Sequence, residues 1–203
     1  METDMPAADA MIENEQRYRA AAYSLLAAML RAAPDQALLD HLGKLSPDSD
    51  GESDELSEAM AELADAAGEF DLDQLEDEYN ALFIGVGKGE VVPYGSWYLT
   101  GFLMEQPLSD LRDDLQAFGF ARDEKTREPE DHAAAIFEVF SVMIGDAYSL
   151  DQQQGFFEKH MQPWLKLFFA DLGKARSAEF YKPVARFGAA FIELEQAYLS
   201  MRS

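Results

Sequence analysis

Apolar residues recur along this chain at three- and four-residue intervals almost from end to end, the spacing of helices that bury one face. Tyr18, Ala22, Leu25, Leu26, Met29 and Leu30 form one stripe of a first helix predicted over about 13–33. Pro34 suits the first turn of a short second helix that carries Leu38, Leu39 and Leu42 and ends near Gly43. A Ser/Pro/Asp/Gly stretch from Leu45 to Glu52 reads as a linker. Ser53 is placed to cap a third helix reaching Ala67. Asp71 is placed to cap a fourth, with Gln74 in capping-box spacing, and that helix ends at Gly85.

From Gly85 to Pro93 the helical pattern stops, and three glycines in five residues predict a loop. The loop leads into Tyr94-Gly95-Ser96-Trp97-Tyr98, a cluster of aromatic and small residues. Pro107 then opens a helix that stops at Gly119. A charged connector, Ala121 to Arg127, precedes Glu128-Pro129-Glu130-Asp131-His132. Pro129 fits the first position of a helix running to Ala147, with its neighbouring carboxylates complementing the helix dipole. Further helices are predicted at Asp151–Met161, Gln162–Lys174 and Pro183–Met201. Strand patterns are almost absent. The expected fold is an all-α bundle of about eight to ten helices. Its two lobes, 13–120 and 129–203, are joined by a hinge at 121–128, and residues 1–12 form a mobile N-terminus.

Composition narrows the function. Hydrophobic residues make up 48% of 203 positions, enough to fill a sizeable core. No apolar run reaches the roughly 18 residues of a bilayer span, and the acidic N-terminus lacks the order of a signal peptide. A cytoplasmic location without stable membrane insertion is expected. The absence of cysteine excludes disulfides, thiolate metal sites and thiol nucleophiles. A net charge of −23 makes nucleic acid a poor partner and favours basic ones. Between Lys44 and Lys88 stand fourteen acidic residues and no basic one. Such a run is either a solvated face or a landing surface for a cationic segment.

No constellation of catalytic or metal-binding residues emerges. Gly85-x-Gly87-Lys88-Gly89 lacks the spacing and the Ser/Thr of a phosphate loop. No Glu is followed by His at the third position, so a carboxylate-bridged metal bundle has no ligands. His41, His132 and His160 have no recognisable triad partners. No catalytic residue, metal or cofactor is therefore assigned. Asp131 and His132, as neighbours on a helix, would point about 100° apart and could not both face one ligand. The bland reading of Glu128–His132 is a helix start with acidic caps.

Three segments, read together, resemble the TorD/DmsD/NarJ family of redox-enzyme maturation chaperones. The first is Tyr79-Asn80-Ala81-Leu82-Phe83-Ile84-Gly85 with Val92-Pro93-Tyr94-Gly95-Ser96-Trp97-Tyr98-Leu99. The second is Glu128-Pro129-Glu130-Asp131-His132, which matches the family's E-P-x-D-H signature. The third is His160-Met161-Gln162-Pro163-Trp164, with Glu179-Phe180-Tyr181 following at a distance. The likeness extends from about Glu15 to Ala197. It departs from the usual pattern at Tyr94, where many members have Trp, and at Trp97, where a smaller residue is common.

The resemblance implies an all-helical, two-lobed, non-enzymatic chaperone in the cytoplasm. Such a protein binds the twin-arginine signal peptide of a molybdenum-containing reductase, for example a trimethylamine N-oxide or dimethyl sulfoxide reductase. It holds the apo-enzyme for cofactor insertion before Tat export. Carried over by position, the peptide-binding residues are Tyr79, Leu82, Phe83, Pro93, Tyr94, Ser96, Tyr98, Asp131 and His132. Trp97, expected to be an exposed aromatic beside Tyr94, is also able to take the apolar part of a leader. The glycines of the Gly85–Gly89 loop leave it free to move, while Leu82, Phe83 and Trp164 fit core positions as readily as contacts. An alternative from the same family is a NarJ-like assembly factor that acts on a mature subunit without leader binding. The charged connector permits a monomer or a domain-swapped homodimer.

Overall fold

The computed structural model describes residues 7–45, 54–85, 88–121 and 128–201. The expected linker at 45–52 except Leu45, most of the hinge at 121–128 and the capping role of Ser53 lie outside those residues. Among the described residues the chain forms ten α-helices and one π-turn, and the only β pairing is an isolated bridge. The all-α expectation is met.

α1 (Ala7–Arg31) is the longest helix, and it starts earlier than the pattern predicts. Its buried stripe is also rotated from the predicted one. Arg19, Tyr23, Leu26, Met29 and Leu30 face inward, while Tyr18 is 68% exposed. The reason is electrostatic. Arg19 Nε and Nη2 donate to the two carboxylate oxygens of Glu195 at 2.7 and 2.8 Å, and Nη1 donates to Gln153 and Gln16. A guanidinium that finds a bidentate carboxylate can be buried where an unpaired one cannot.

α2 (Gln36–Leu42) is capped by Asp35, which leaves Pro34 outside the helix, ahead of the cap. α3 (Glu55–Ala66) is capped by Asp54, whose carboxylate accepts the Ser57 N–H. α4 (Leu72–Tyr79) begins with the predicted Asp71/Gln74 capping box. It passes into the π-turn Asn80–Ile84 and stops at Gly85, whose φ of 57° lies in the left-handed region open to glycine.

The second half comprises α5 (Gly95–Thr100), α6 (Gln106–Ala117), α7 (Ala133–Gly145), α8 (Leu150–His160), α9 (Gln162–Lys174) and α10 (Tyr181–Met201). α7 does not start at Pro129 as predicted. Its N-cap is His132, because the backbone just before it pairs with the segment around Tyr94 and the Pro129 carbonyl accepts the His132 N–H. α7 packs against α1 and carries Ile136, Phe137, Phe140, Met143 and Ile144 into the core. α10 lies across α9, α3 and α1. Tyr23 sits edge-on to Phe140 and Phe191 at 4.9 and 4.8 Å, joining α1, α7 and α10. Each such aromatic contributes roughly 1.5–3 kcal/mol on burial. The buried cluster is continuous from α1 to α10. Among the described residues no helix is long and apolar enough to cross a membrane.

Candidate functional site

The described part of the loop after the π-turn, residues 88–93, is tied down. Val91 N–H donates to the Leu82 carbonyl at 2.9 Å and Glu90 N–H to that of Ala81 at 3.3 Å, so residues 89–91 fold back on the turn. Gly89 permits this approach, since a Cβ there would lie 2.4 Å from the Leu82 oxygen. The Glu90 carboxylate accepts the Arg176 and Ser177 N–H groups and the Ser177 hydroxyl. Glu78 accepts the N–H groups of Glu179, Phe180 and Tyr181, capping the start of α10. These two carboxylates fasten the motif-bearing segment to the connection between α9 and α10.

Downstream of the loop, Tyr94 and His132 face each other in the antiparallel bridge. The Asp131 carbonyl accepts the Gly95 N–H at 2.9 Å and the Pro93 carbonyl accepts the Ala133 N–H at 2.8 Å. The Asp131 side chain reaches across as well, its Oδ2 accepting the Ser96 N–H at 2.8 Å at the start of α5. His132 Nδ1 accepts the Ala134 N–H at the start of α7. The D-H pair thus serves the beginnings of two helices, one residue each. Burial, reinforced by the charge of Arg31 and opposed by Glu128 and Asp131, lowers the His132 pKa to about 4. The ring is accordingly neutral at pH 7 and able to accept that bond.

The bridge divides two cavities. On one side is a cleft of about 590 Å³. Its apolar surface includes Ala33, Pro34, Tyr79, Phe83, Pro93 and Tyr94, with the exposed side chains of Leu72 and Ile84 beside them. The carboxylates of Asp35, Glu76 and Glu128 also line it. Among the described residues that line it, Arg31 is the one Lys or Arg, and it is paired with Glu138. The Tyr94 hydroxyl donates to Glu128, and burial together with that bond raises the Tyr94 pKa. The Tyr79 hydroxyl donates to the Arg31 carbonyl at 3.0 Å, and the Tyr79 ring lies 5.1 Å from that of Phe83. On the other side of the bridge is a pocket of about 150 Å³ lined by Ser96, Asp131, Asp110, Lys159, His160 and Trp164, among others.

The ten residues expected to bind peptide are therefore dispersed. Tyr79, Phe83, Pro93, Tyr94 and His132 share the cleft, whereas Ser96 and Asp131 face the pocket behind the bridge. Leu82 is fully buried in the core. Tyr98 stacks on Trp164 at 5.7 Å, and its hydroxyl donates to Asp171. Tyr94 and Trp97 are half-buried, not exposed, and the Lys88 ammonium sits 3.9 Å over the Trp97 ring. Asp131 and His132 do face different sites, but strand-like alternation separates them, not helical rotation. Asp35 and the wall at Ala33 and Pro34 line the cleft although nothing in the sequence pattern assigns them there, and the sequence marks Glu76 only as a member of the acidic run between Lys44 and Lys88. The Pro-Asp step after α1 is the one local sign of that wall.

The family described as nitrate reductase delta subunit matches residues 49–170, more than half of the chain. The chain belongs to this family, the TorD/DmsD/NarJ group. It is 29% identical over 171 residues to the chaperone protein TorD of Vibrio parahaemolyticus, covering 73% of this chain and 77% of that one. It is also 29% identical over 185 residues to TorD of Shewanella loihica, covering 82% and 80%. The match to TorD of Vibrio cholerae strain O395 spans 61% of each chain at 25% identity. The protein of Haemophilus influenzae named "Probable Tat proofreading chaperone DmsD" is 28% identical over 113 residues, 55% of each chain. These relatives are named as chaperones, not enzymes, and the TorD names place the chain on the TorD branch. A candidate redox enzyme maturation protein from Archaeoglobus fulgidus shares the fold. Its TM-score is 0.55 at 20% identity, over 85% of this chain and 93% of that one.

Proposed function

We propose that this protein is a cytoplasmic maturation chaperone for a molybdenum-containing oxidoreductase, and that its cleft receives the twin-arginine signal peptide of that enzyme. The observation that carries the reading is the composition of the cleft. An apolar surface of Phe83, Pro34, Pro93 and the two tyrosines lies beside Asp35, Glu76 and Glu128. A leader with a basic stretch followed by an apolar one is complementary to that arrangement. Its arginines meet carboxylates in charge-assisted hydrogen bonds, each contributing roughly 1.5–3 kcal/mol. Its apolar part covers the aromatic surface as a short helix in a groove. Among the ten motif residues, Tyr79, Phe83, Pro93, Tyr94 and His132 make this contact, and Leu82, Trp97 and Tyr98 support it from behind.

A second reading is favoured by the family description itself and by an exposed apolar run, Phe102, Leu103 and Met104, away from the cleft-lining residues. In it the protein acts on a mature reductase subunit without reading a leader. Size-exclusion chromatography of the chaperone mixed with full-length apo-reductase precursor, and with the same enzyme lacking its leader, separates the two. A complex with the precursor alone supports leader recognition, and equal complexes support the assembly factor. The same chromatography reports whether the free protein is a monomer or a dimer formed by exchange of the segment after the connector, which we propose as its second state.

A further inference from the structure

α1 ends where the cleft begins, and the end of a helix leaves backbone carbonyls without partners inside it. Two tyrosine hydroxyls meet the carbonyls of that last turn. Tyr181, the first residue of α10, donates to the Met29 carbonyl at 2.8 Å, and Tyr79 donates to the Arg31 carbonyl at 3.0 Å. The chain leaving the turn, residues 31–35, is one wall of the cleft, and Tyr79 and Phe83 form another. The rings of that second wall lean on the same residue. Phe83 sits edge-on to Tyr181 at 5.2 Å, and Tyr79 lies 6.3 Å from it.

Tyr181 itself is 0% exposed and does not line the cleft. It is fixed at both ends. The carboxylate of Glu78, one residue ahead of Tyr79, accepts the Tyr181 N–H at 2.8 Å, while α1 holds the hydroxyl. Burial raises the Tyr181 pKa well above the usual 10, so the hydroxyl stays a donor at any working pH. Glu90 also ties the preceding residues Arg176 and Ser177 to the loop beyond the π-turn.

We propose that Tyr181 is the positioning residue of the cleft. Its hydroxyl sets where the 31–35 wall stands, its ring sets where Tyr79 and Phe83 stand, and the gap between them decides which apolar segment fits. The inference rests on the leader reading and deepens it, since it assigns the choice among leaders to a residue that touches none of them. Walls fixed beforehand need not be ordered on binding, so a change in their support lowers affinity without removing a contact.

Tyr181→Phe removes the hydroxyl and keeps the ring. Tyr148→Phe is its matched control, removing a hydroxyl that donates at 2.8 Å to the Phe118 carbonyl, from a residue that does not line the cleft. Without ligand, amide exchange at Leu38 and Leu39 reports on the 31–35 wall. Their N–H groups are held by the Asp35 carboxylate and carbonyl at 2.8 and 3.0 Å. Exchange there is expected to quicken about fivefold or more in Tyr181→Phe and not in Tyr148→Phe. In calorimetric titration of the full chain with a twin-arginine leader peptide, binding is expected to weaken about three- to tenfold in Tyr181→Phe alone. A second peptide, with one leucine of its apolar part enlarged to tryptophan, should bind the wild type more weakly than the first. Tyr181→Phe should narrow that gap, and Tyr181→Leu, which removes the ring as well, should narrow it further.

Equal losses of affinity in the two hydroxyl variants, or exchange unmoved by Tyr181→Phe, overturn the proposal. If the leader fails to bind the wild type, the leader reading falls, and faster exchange in Tyr181→Phe still supports the clamp on the cleft. If the leader binds and Tyr181→Phe alters neither affinity nor selectivity, the clamp alone falls.

Discussion

Tyr94 pairs its backbone with His132, and the two rings meet edge-on at 5.0 Å. Because neighbouring side chains on extended backbone point to opposite sides, His132 lines the cleft with Tyr94 while Asp131 lines the pocket behind it, which Ser96 reaches from the first turn of α5. The bridge is held from both ends by helix starts, so changes at its polar groups affect both folding and the site.

Asp131 illustrates the coupling. Asp131→Ala removes the acceptor of the Ser96 N–H and is expected to destabilise the fold by about 1–3 kcal/mol. Asp131→Asn, which keeps an oxygen, should cost less. Urea denaturation of the two variants checks the order, and equal losses would refute a capping role.

His132 gives stability a pH dependence of definite sign. Its pKa is about 4 in the folded chain against the usual 6.5, chiefly because it is buried. Between those values the unfolded chain binds a proton that the folded chain does not, so stability falls as pH drops from about 6.5 toward 4. Protonation would also remove the acceptor used by the Ala134 N–H. His160, lowered mainly by burial, adds a slope of the same sign. His132→Gln should flatten the profile without abolishing it, as read from urea midpoints at about pH 5 and about pH 7.5. A profile unchanged by the substitution would contradict the assignment.

The helices were legible in the sequence because their caps are local. Asp71 with Gln74, and the stops at Gly43, Gly85 and Gly119, depend on a few neighbouring residues. The misread elements depend on distant partners. Arg19 turns inward because Glu195 lies opposite it, 176 positions away. α7 starts late because residues 93–95 pair with 131–133. The same long-range pairing sorts the motif residues between two cavities, which no spacing rule along one chain segment reveals. The family motifs name residues on both sides of the bridge, and only the bridge shows which of them share a surface.

The buried ion pair supplies a further expectation. Glu195→Ala leaves the Arg19 guanidinium buried without its carboxylate, and is expected to cost about 3–5 kcal/mol. The joint replacement Arg19→Met with Glu195→Leu should cost much less, since no charge is then stranded. A double-mutant cycle by chemical denaturation measures the difference, and additive losses would show that the pair is not coupled.

Gly89 tests whether the loop's closure onto the π-turn matters. Gly89→Ala places a methyl group 2.4 Å from the Leu82 oxygen, so the loop must lift and the Val91–Leu82 hydrogen bond lengthens. A loss of about 1–3 kcal/mol is expected, with faster amide exchange at Val91. Unchanged exchange would mean that the loop accommodates the methyl group.

The central claim, leader recognition by the cleft, is tested most directly by calorimetric titration of the full chain. The ligands are a twin-arginine leader peptide and a matched peptide with both arginines replaced by alanine, at low and moderate salt. The account predicts saturable binding of the first peptide, weakened by salt, weaker for the second peptide, and weaker in both Phe83→Ala and Glu128→Gln. No binding, or binding indifferent to the arginines and to both cleft substitutions, would contradict it.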